Sequence, residues 1–241
     1  MKLHIVVPTI MTNPAQEFKC IDQLVQHFSL HELDFKIYFV ANTPMDEFSK
    51  YIPKDSRVIK SISNLEFSIS RAINSVFEAI EYADDDVIGF VQSDTFIDNP
   101  NWILDMINLL NNPEYRAGVL GLRPHVSSNR IGPAINYQGK FNIHPAKWAD
   151  GVMMFKGSVY RAVEGFDEGY FGDCESQDFC YQVEQAGLVN YWCSDNSGYF
   201  GYTNRTVDFA SKARSNQAEF ILKVEQSRKY LDKKWPQWKS M

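Results

Sequence analysis

Apolar and polar positions follow two different periods along the first half of the chain. Residues 2–8 (KLHIVVP) form an almost unbroken β-branched run, the pattern of a strand covered on both faces. Asn13-Pro14 then supplies a helix cap followed by Pro at the first helical position, with Gln16 set for a capping-box contact. Ile21, Leu24, Val25 and Phe28 recur at helical spacing, which predicts an amphipathic helix over 14–28. Strands are expected at 35–41 (FKIYFVA) and 57–62. Ile69, Ile73, Val76, Phe77 and Ile80 mark a helix over 66–82, and Val87–Val91 reads as a buried strand ending in Gln92-Ser93-Asp94. Asn99-Pro100 opens a further helix with Ile103, Met106, Ile107 and Leu110 on one stripe. This alternation predicts an α/β fold, a mostly parallel twisted sheet with helices on both faces.

Beyond residue 116 the texture changes. AGVLGLRP looks like a strand, whereas residues 124–147, rich in Pro, Gly, Asn and Ser, read as one long irregular, functional connection. A strand through Gly151–Phe155, a short helix, a turn at Gly165 and a helix over about 175–186 follow. The last helix is expected over roughly 208–232, ahead of a tail, KKWPQWK, that mixes cations with Trp. That tail suits either an anionic membrane surface or packing back on the domain. No repeat or linker divides the chain, so one domain spanning 1–241 is expected.

Charge and composition narrow the classes. The 241 residues carry 24 Lys and Arg against 30 Asp and Glu, a net charge of −6, which argues against nucleic acid as a partner. With 44% hydrophobic and 22% charged residues the chain is not disordered. No apolar run approaches the roughly 20 residues of a membrane-spanning helix. MKLHIVVPTI is too short and strand-like for a signal peptide, so a cytoplasmic enzyme is expected. Cys20, Cys174, Cys180 and Cys193 lack CxxC spacing and are expected to be reduced.

In open parallel sheets ligands bind beyond the carboxyl ends of the strands. Three such ends are polar: Pro8-Thr9, Asn42-Thr43 and Gln92-Ser93-Asp94. GxGxxG does not follow the first strand and GxxxxGK[ST] is absent, which excludes the Rossmann and P-loop sites. Asp94, directly after a buried strand, suits a divalent ion bridging two phosphates, or an acid near the next helix start. Asp84-Asp85-Asp86 precedes the same strand at the wrong end of the sheet and reads as a solvated turn.

Four segments together carry a resemblance. VIGFVQSDTFIDNPNWI resembles the strand-then-Asp segment of the family 2 glycosyltransferases, which have the GT-A fold, and GSVYRAVEGFDEGYFGDCESQDFCYQVEQAG is similar to their second signature. IVVPTI resembles the family's first strand, and ISRAINSVFEAI the helix before the Asp segment; the likeness runs from residue 2 to about 190. It implies an inverting transfer of a sugar from a nucleotide-sugar donor to a glycan or lipid-linked acceptor hydroxyl, in surface glycan synthesis, close to the inner membrane surface. Residues 1–115 would then be the nucleotide-binding half, 116–207 the acceptor half and 208–241 a C-terminal helix and tail.

By the same resemblance Asp94 holds a divalent cation, Mn or Mg, on the donor diphosphate, with Gln92 and Ser93 beside it. Pro8, Thr9 and Asn42 contact the nucleotide, Asn74 lines its pocket, Arg71 meets phosphate, and Asp150 bonds a donor hydroxyl. Ser176 stands where the family's general base, an aspartate, is usual. Glu175, Asp178 and Asp173 are the carboxylates able to replace it; all three also suit a helix N-terminus. No His follows the signature to serve as a further ligand, Tyr199 and Tyr202 being the nearest replacements, so an inactive nucleotide-sugar-binding domain is the alternative. His125, Arg130, Lys140 and His144, with Arg123, are expected either to close over the phosphates as a lid or to be solvated.

Overall fold

The computed structural model describes residues 1–9, 14–41, 54–62, 68–124, 131–171, 174–195, 197–204 and 217–237. In chain order the elements are β1 (Leu3–Thr9), α1 (Pro14–Leu30), β2 (Phe35–Ala41), β3 (Val58–Ile62), α2 (Ile69–Ala79), β4 (Val87–Val91), β5 (Thr95–Ile97) and α3 (Trp102–Asn111). They continue with β6 (Ala117–Pro124), β7 (Ile135–Tyr137), β8 (Phe141–Pro145), β9 (Ala149–Lys156), α4 (Gly157–Ala162), α5 (Glu175–Gln185), β10 (Val189–Ser194), β11 (Tyr202–Asn204) and α6 (Gln217–Lys234).

Nine strands form one sheet in the order β3-β2-β1-β4-β9-β6-β10-β8-β7, and β5 pairs with β11 in a two-stranded ribbon. Strands β3, β2, β1 and β4 are parallel. Antiparallel β9 lies between β4 and β6, so β6 and its parallel neighbour β10 run the same way as β4.

Every residue of β1 is buried because side chains on both faces of the sheet meet helices. Ile5 and Val7 pack with Phe18, Ile21 and Leu24 of α1 and Met106 of α3. Val6, one position over, packs on the other side with Ile73 and Phe77 of α2. The same alternation splits β9: Val152 and Met154 face α1 and α3, while Met153 and Phe155 face α2, α4 and α5. Each fully buried side chain of this size contributes about 1.5–3 kcal/mol relative to exposure.

Several expectations are corrected. The 124–147 connection contains a hairpin: β7 and β8 pair antiparallel and extend the sheet beyond β10. Gln138 and Gly139, both at positive φ (52° and 74°), are the central residues of its turn, which the Lys140 N–H closes on the Tyr137 carbonyl at 3.0 Å. The strands β5, β10 and β11, which the residue pattern did not announce, also belong here. Asp86 is not solvated but buried, accepting from the backbone N–H groups of Lys2 at 2.5 Å and Ala83 at 2.9 Å. Of the last helix, expected over roughly 208–232, residues 208–216 lie outside the described residues, and Gln217–Lys234 is helical. All four cysteines are buried free thiols. Among the described residues no helix is long and apolar enough to cross a membrane.

Candidate functional site

Strand polarity brings the polar strand ends to one edge of the sheet. Val91 of β4 lies opposite Val152 of β9, and Asp150 at the start of β9 lies opposite Arg123 near the end of β6. Gln92 therefore meets β9, its backbone N–H donating to the Gly151 carbonyl at 3.4 Å. The Thr95 N–H closes the next turn on the Gln92 carbonyl at 3.0 Å, leaving Gln92, Ser93 and Asp94 half-buried at the edge. Asp150, half-buried, accepts the Gly151 N–H at 2.7 Å, and Gly151 takes φ 83°, a conformation that favours glycine.

Pro8 and Thr9 end β1 at the same edge, and both are buried. Pairing of β1 with β4 stops at Val6–Phe90, whereas pairing with β2 runs on to Thr9. Without an N–H, Pro8 cannot extend the β4 ladder, so β1 and β4 part just below Asp94. Asn42 lies outside the described residues.

A residue the sequence reading missed joins this edge. Glu17, 4% exposed on the first turn of α1, lies close enough to Cys20 to act on its thiol, as Asp94 does. Burial first, then the Asp94 charge, pushes Cys20 up to about 12, while its Sγ donates to the Gln92 carbonyl at 3.8 Å. An acid in a first helical turn was the only trace of Glu17 in the sequence.

Helix α5 runs against β10, so its N-terminus also points to this edge. Cys180 Sγ donates to the carbonyl of Ala149, the neighbour of Asp150, at 3.9 Å. Burial raises Cys180 to about 12, with the Asp150 charge adding to it. Cys174 caps α5 in a left-handed conformation, φ 75°, which costs about 1 kcal/mol or more for a residue bearing a Cβ. Glu175 follows, 5% exposed, and Ser176 is half-buried. Asp173 lies outside the described residues.

Asp178 is fully buried and bonded on all sides, unlike a group waiting for a substrate proton. It accepts from Tyr170 Oη at 3.1 Å, Gln182 Nε2 at 2.7 Å, Lys234 Nζ at 3.0 Å and Trp235 Nε1 at 2.6 Å. Its place in the structure is the anchor of α6 on α5. Trp235 correspondingly packs back on the domain, 4.5 Å from the Tyr181 ring, instead of extending toward a surface.

Asn74 is likewise occupied. Its Nδ2 donates to the Phe166 carbonyl at 2.7 Å and to Glu168 Oε1 at 3.0 Å. Its Oδ1 accepts from Tyr160 Oη at 2.7 Å and the Phe166 N–H at 3.0 Å. Asn74 therefore holds the Gly165–Glu168 turn, with both its amide nitrogen and its oxygen hydrogen-bonded within the fold. Arg71 Nε faces Glu168 Oε2 at 3.6 Å, a carboxylate rather than a phosphate position. Two residues of the expected lid are committed too: Lys140 pairs with Asp105 at 2.5 Å, and His144 stacks on Trp192 at 4.8 Å. Tyr199 bonds Asp105 as well. His125 and Arg130 lie outside the described residues.

Among the described residues no three His, Cys, Asp or Glu side chains converge as a metal cage. The oxygen donors at the edge, Asp94 and Asp150, suit a hard cation whose remaining ligands come from a bound phosphate.

The fold recurs in known proteins. A Drosophila β1,4-galactosyltransferase 7 mutant, solved with manganese, UDP-Gal and xylobiose, matches with a TM-score of 0.54 at 14% identity over 88% of this chain and 73% of that one. A mannosyltransferase from Pyrobaculum calidifontis, solved with GDP-Man and Mn2+, matches at 0.60 and 13% identity over 82% and 58%. The fold is that of a GT-A glycosyltransferase. A putative glucose-1-phosphate thymidylyltransferase from Bacillus anthracis, solved with sucrose, matches at 0.54 and 13% identity over 90% and 95%. At these identities the likeness shows the fold, and the activities named are those of the matched proteins. The GT-A-like chain spans 63% of a second Drosophila galactosyltransferase 7 chain and 58% of the mannosyltransferase. No family model matches the sequence, and no curated protein matches it.

Proposed function

We propose that this protein is an inverting glycosyltransferase, moving a sugar from a nucleotide-sugar donor to a hydroxyl of a glycan or lipid-linked acceptor in surface glycan synthesis. The observation that carries the reading is the meeting, at one sheet edge, of the Asp94 turn, Asp150 and the α5 N-terminus bearing Glu175. The resemblance of the GFDEGYFGDCESQDFC signature to family 2 glycosyltransferases supports it.

In this reading the parted ends of β1 and β4 receive the nucleotide beside Pro8, Thr9 and Asn42. Asp94, with Ser93 and Gln92 in the same turn, would hold Mn or Mg on the donor diphosphate. When bound, that ion offsets the charge building on the leaving group. Asp150 orients a donor hydroxyl. Glu175 takes the acceptor proton as the acceptor oxygen attacks the anomeric carbon from the face opposite the diphosphate. The new glycosidic C–O bond forms as the anomeric C–O bond to phosphate breaks, which inverts the configuration.

The nucleotidylyltransferase likeness suggests a different reaction on the same fold. The stretch from the end of β1 to the start of α1 (PTIMTNP, 8–14) contains no glycine, whereas backbone cradles for a triphosphate are built on glycine-rich loops. A nucleotide-sugar-binding domain without turnover is the second reading, favoured by Ser176 at the usual base position.

Calorimetric titration with nucleoside diphosphates and triphosphates, with and without Mn, on the wild type and Asp94→Ala tests the assignment. Metal-dependent diphosphate binding that Asp94→Ala abolishes is expected. Binding with no turnover of any nucleotide sugar selects the second reading, and no diphosphate binding overturns both.

A further inference from the structure

Helix α6 grips the chain on both sides of the head of α5. Ahead of it, Ser227 Oγ accepts the Phe171 N–H at 2.9 Å, and Asp167 Oδ2 accepts from Tyr230 Oη at 3.0 Å and Lys234 Nζ at 2.6 Å. Behind it, Lys234 Nζ and Trp235 Nε1 donate to the two oxygens of Asp178 at 3.0 Å and 2.6 Å, and Gln237 Nε2 donates to Tyr181 Oη at 2.9 Å. Ser227, Leu231 and Lys234 recur at spacings of four and three, so one stripe of α6 makes the contact. Ser227 and Leu231 are buried in it, and the Tyr230 ring lies 5.0 Å from that of Tyr170.

The head of α5 needs an outside support. Cys174 takes the left-handed φ of 75°, a conformation that persists only where surrounding structure imposes it. No side-chain hydrogen bond caps the helix there. Its first turn closes through the Asp178 N–H on the Cys174 carbonyl at 2.9 Å, and an uncapped first turn frays readily. Asp178 follows Glu175 by three residues, so the two share a face, and what fixes Asp178 fixes the turn that carries Glu175. Lys234 is the one side chain of α6 that bonds both flanks, Asp167 before the head and Asp178 after it.

We propose that Lys234 is a positioning residue: through Asp167 and Asp178 it holds the head of α5, and with it Glu175, where the acceptor hydroxyl arrives. The inference rests on the reading of Glu175 as the general base. It makes the C-terminal helix part of the reaction centre without contact to either substrate. Misplacing a reacting group by about 1 Å costs on the order of a hundredfold in rate, which sets the scale of the effect.

The test follows nucleoside diphosphate release from UDP-galactose, UDP-glucose and GDP-mannose, with methyl glycosides as acceptors, together with amide hydrogen exchange of the full chain. In Lys234→Met, kcat is expected to fall about tenfold to a hundredfold, with donor KM and nucleoside diphosphate affinity unchanged. Lys234→Arg, which keeps a donor for each carboxylate, returns kcat to within a few-fold. Trp235→Phe keeps a ring and loses the bond to Asp178; it lowers kcat in the same way and serves if Lys234→Met fails to fold. His4→Gln loosens the opposite end of the sheet and keeps kcat, which separates positioning from a general loss of stability. Added to Glu175→Gln, Lys234→Met lowers kcat no further, because both act on one step. Exchange at the Phe171 and Asp178 amides quickens in Lys234→Met, while that of β1 and β4 does not.

Full kcat in Lys234→Met and Trp235→Phe, beside a loss in Glu175→Gln, overturns the proposal and leaves the base reading standing. Full kcat in Glu175→Gln, or no turnover of any donor, defeats the base reading instead. Exchange then decides the hold on α5: quickening at Phe171 and Asp178 upholds it, and unchanged rates overturn it.

Discussion

Lys234 places its ammonium 3.0 Å from the carboxylate of Asp178, a residue 56 positions earlier and fully buried. The same ammonium reaches Asp167 Oδ2 at 2.6 Å, so one side chain of α6 ties down both the turn before α5 and the first turn of α5 itself. Burial opposes the charge on Lys234, but hydrogen bonds to Asp167 and Asp178 prevail and hold it above its ordinary value of 10.5.

Lys234→Met is expected to lower stability by about 2–3 kcal/mol, less than for a fully enclosed pair because Lys234 is partly exposed. Urea unfolding checks this. Because the folded-state value is raised, the contribution is complete below about pH 10.5 and is lost as pH rises through the folded value. The alkaline fall in stability should therefore be shallower in the variant.

Asn74→Ala is expected to cost about 2–3 kcal/mol, since it strips the buried Phe166 N–H and carbonyl of their partners. Nucleoside diphosphate affinity should stay unchanged in the folded variant. A selective loss of affinity at full stability would return Asn74 to the nucleotide pocket.

Acid should unfold the protein in two windows. Burial holds His4 below its ordinary 6.5, so the unfolded chain takes that proton first and stability falls as pH drops below about 6.5. Asp86 is opposed by burial but held below its ordinary 3.8 by the Ala83 and Lys2 N–H groups and by His4, so a second loss follows below about pH 4. In thermal midpoints measured across this range, His4→Gln should lose the upper step and show a smaller lower one, because His4 helps to hold Asp86 down.

Glu175→Gln is expected to lower kcat about a hundredfold to ten-thousandfold with donor KM little changed, as removal of a general base does. Ser176→Ala should stay within a few-fold of wild type. Full turnover in Glu175→Gln sinks the base assignment.

Apart from the three-residue β5, the β1–α3 half was legible in the sequence because each element there carries its own period. β1 is buried throughout, and α2 sets Ile73, Val76 and Phe77 on one face. Asp94 stood out for a related reason: it follows an apolar run, and the carboxyl ends of parallel strands are where ligands bind; Asp150 was suggested by the family resemblance alone. The hairpin β7–β8 and strand β10 were less readable. They are short, and their burial comes from neighbours distant in the chain, such as His144 packed on Trp192.

The sequence by itself determined the residues available for chemistry: a glycine-free segment after β1, Asp94, and a serine beside Glu175 at the head of α5. Only the tertiary structure decided which polar residues are used up in holding the fold. Asn74 and Asp178 carry the right functional groups at the right spacing, but hydrogen bonds from residues dozens of positions away use them up. Spacing along one helix fixes which side chains share a face; whether a face meets solvent, substrate or a lysine of the last helix depends on packing between distant segments.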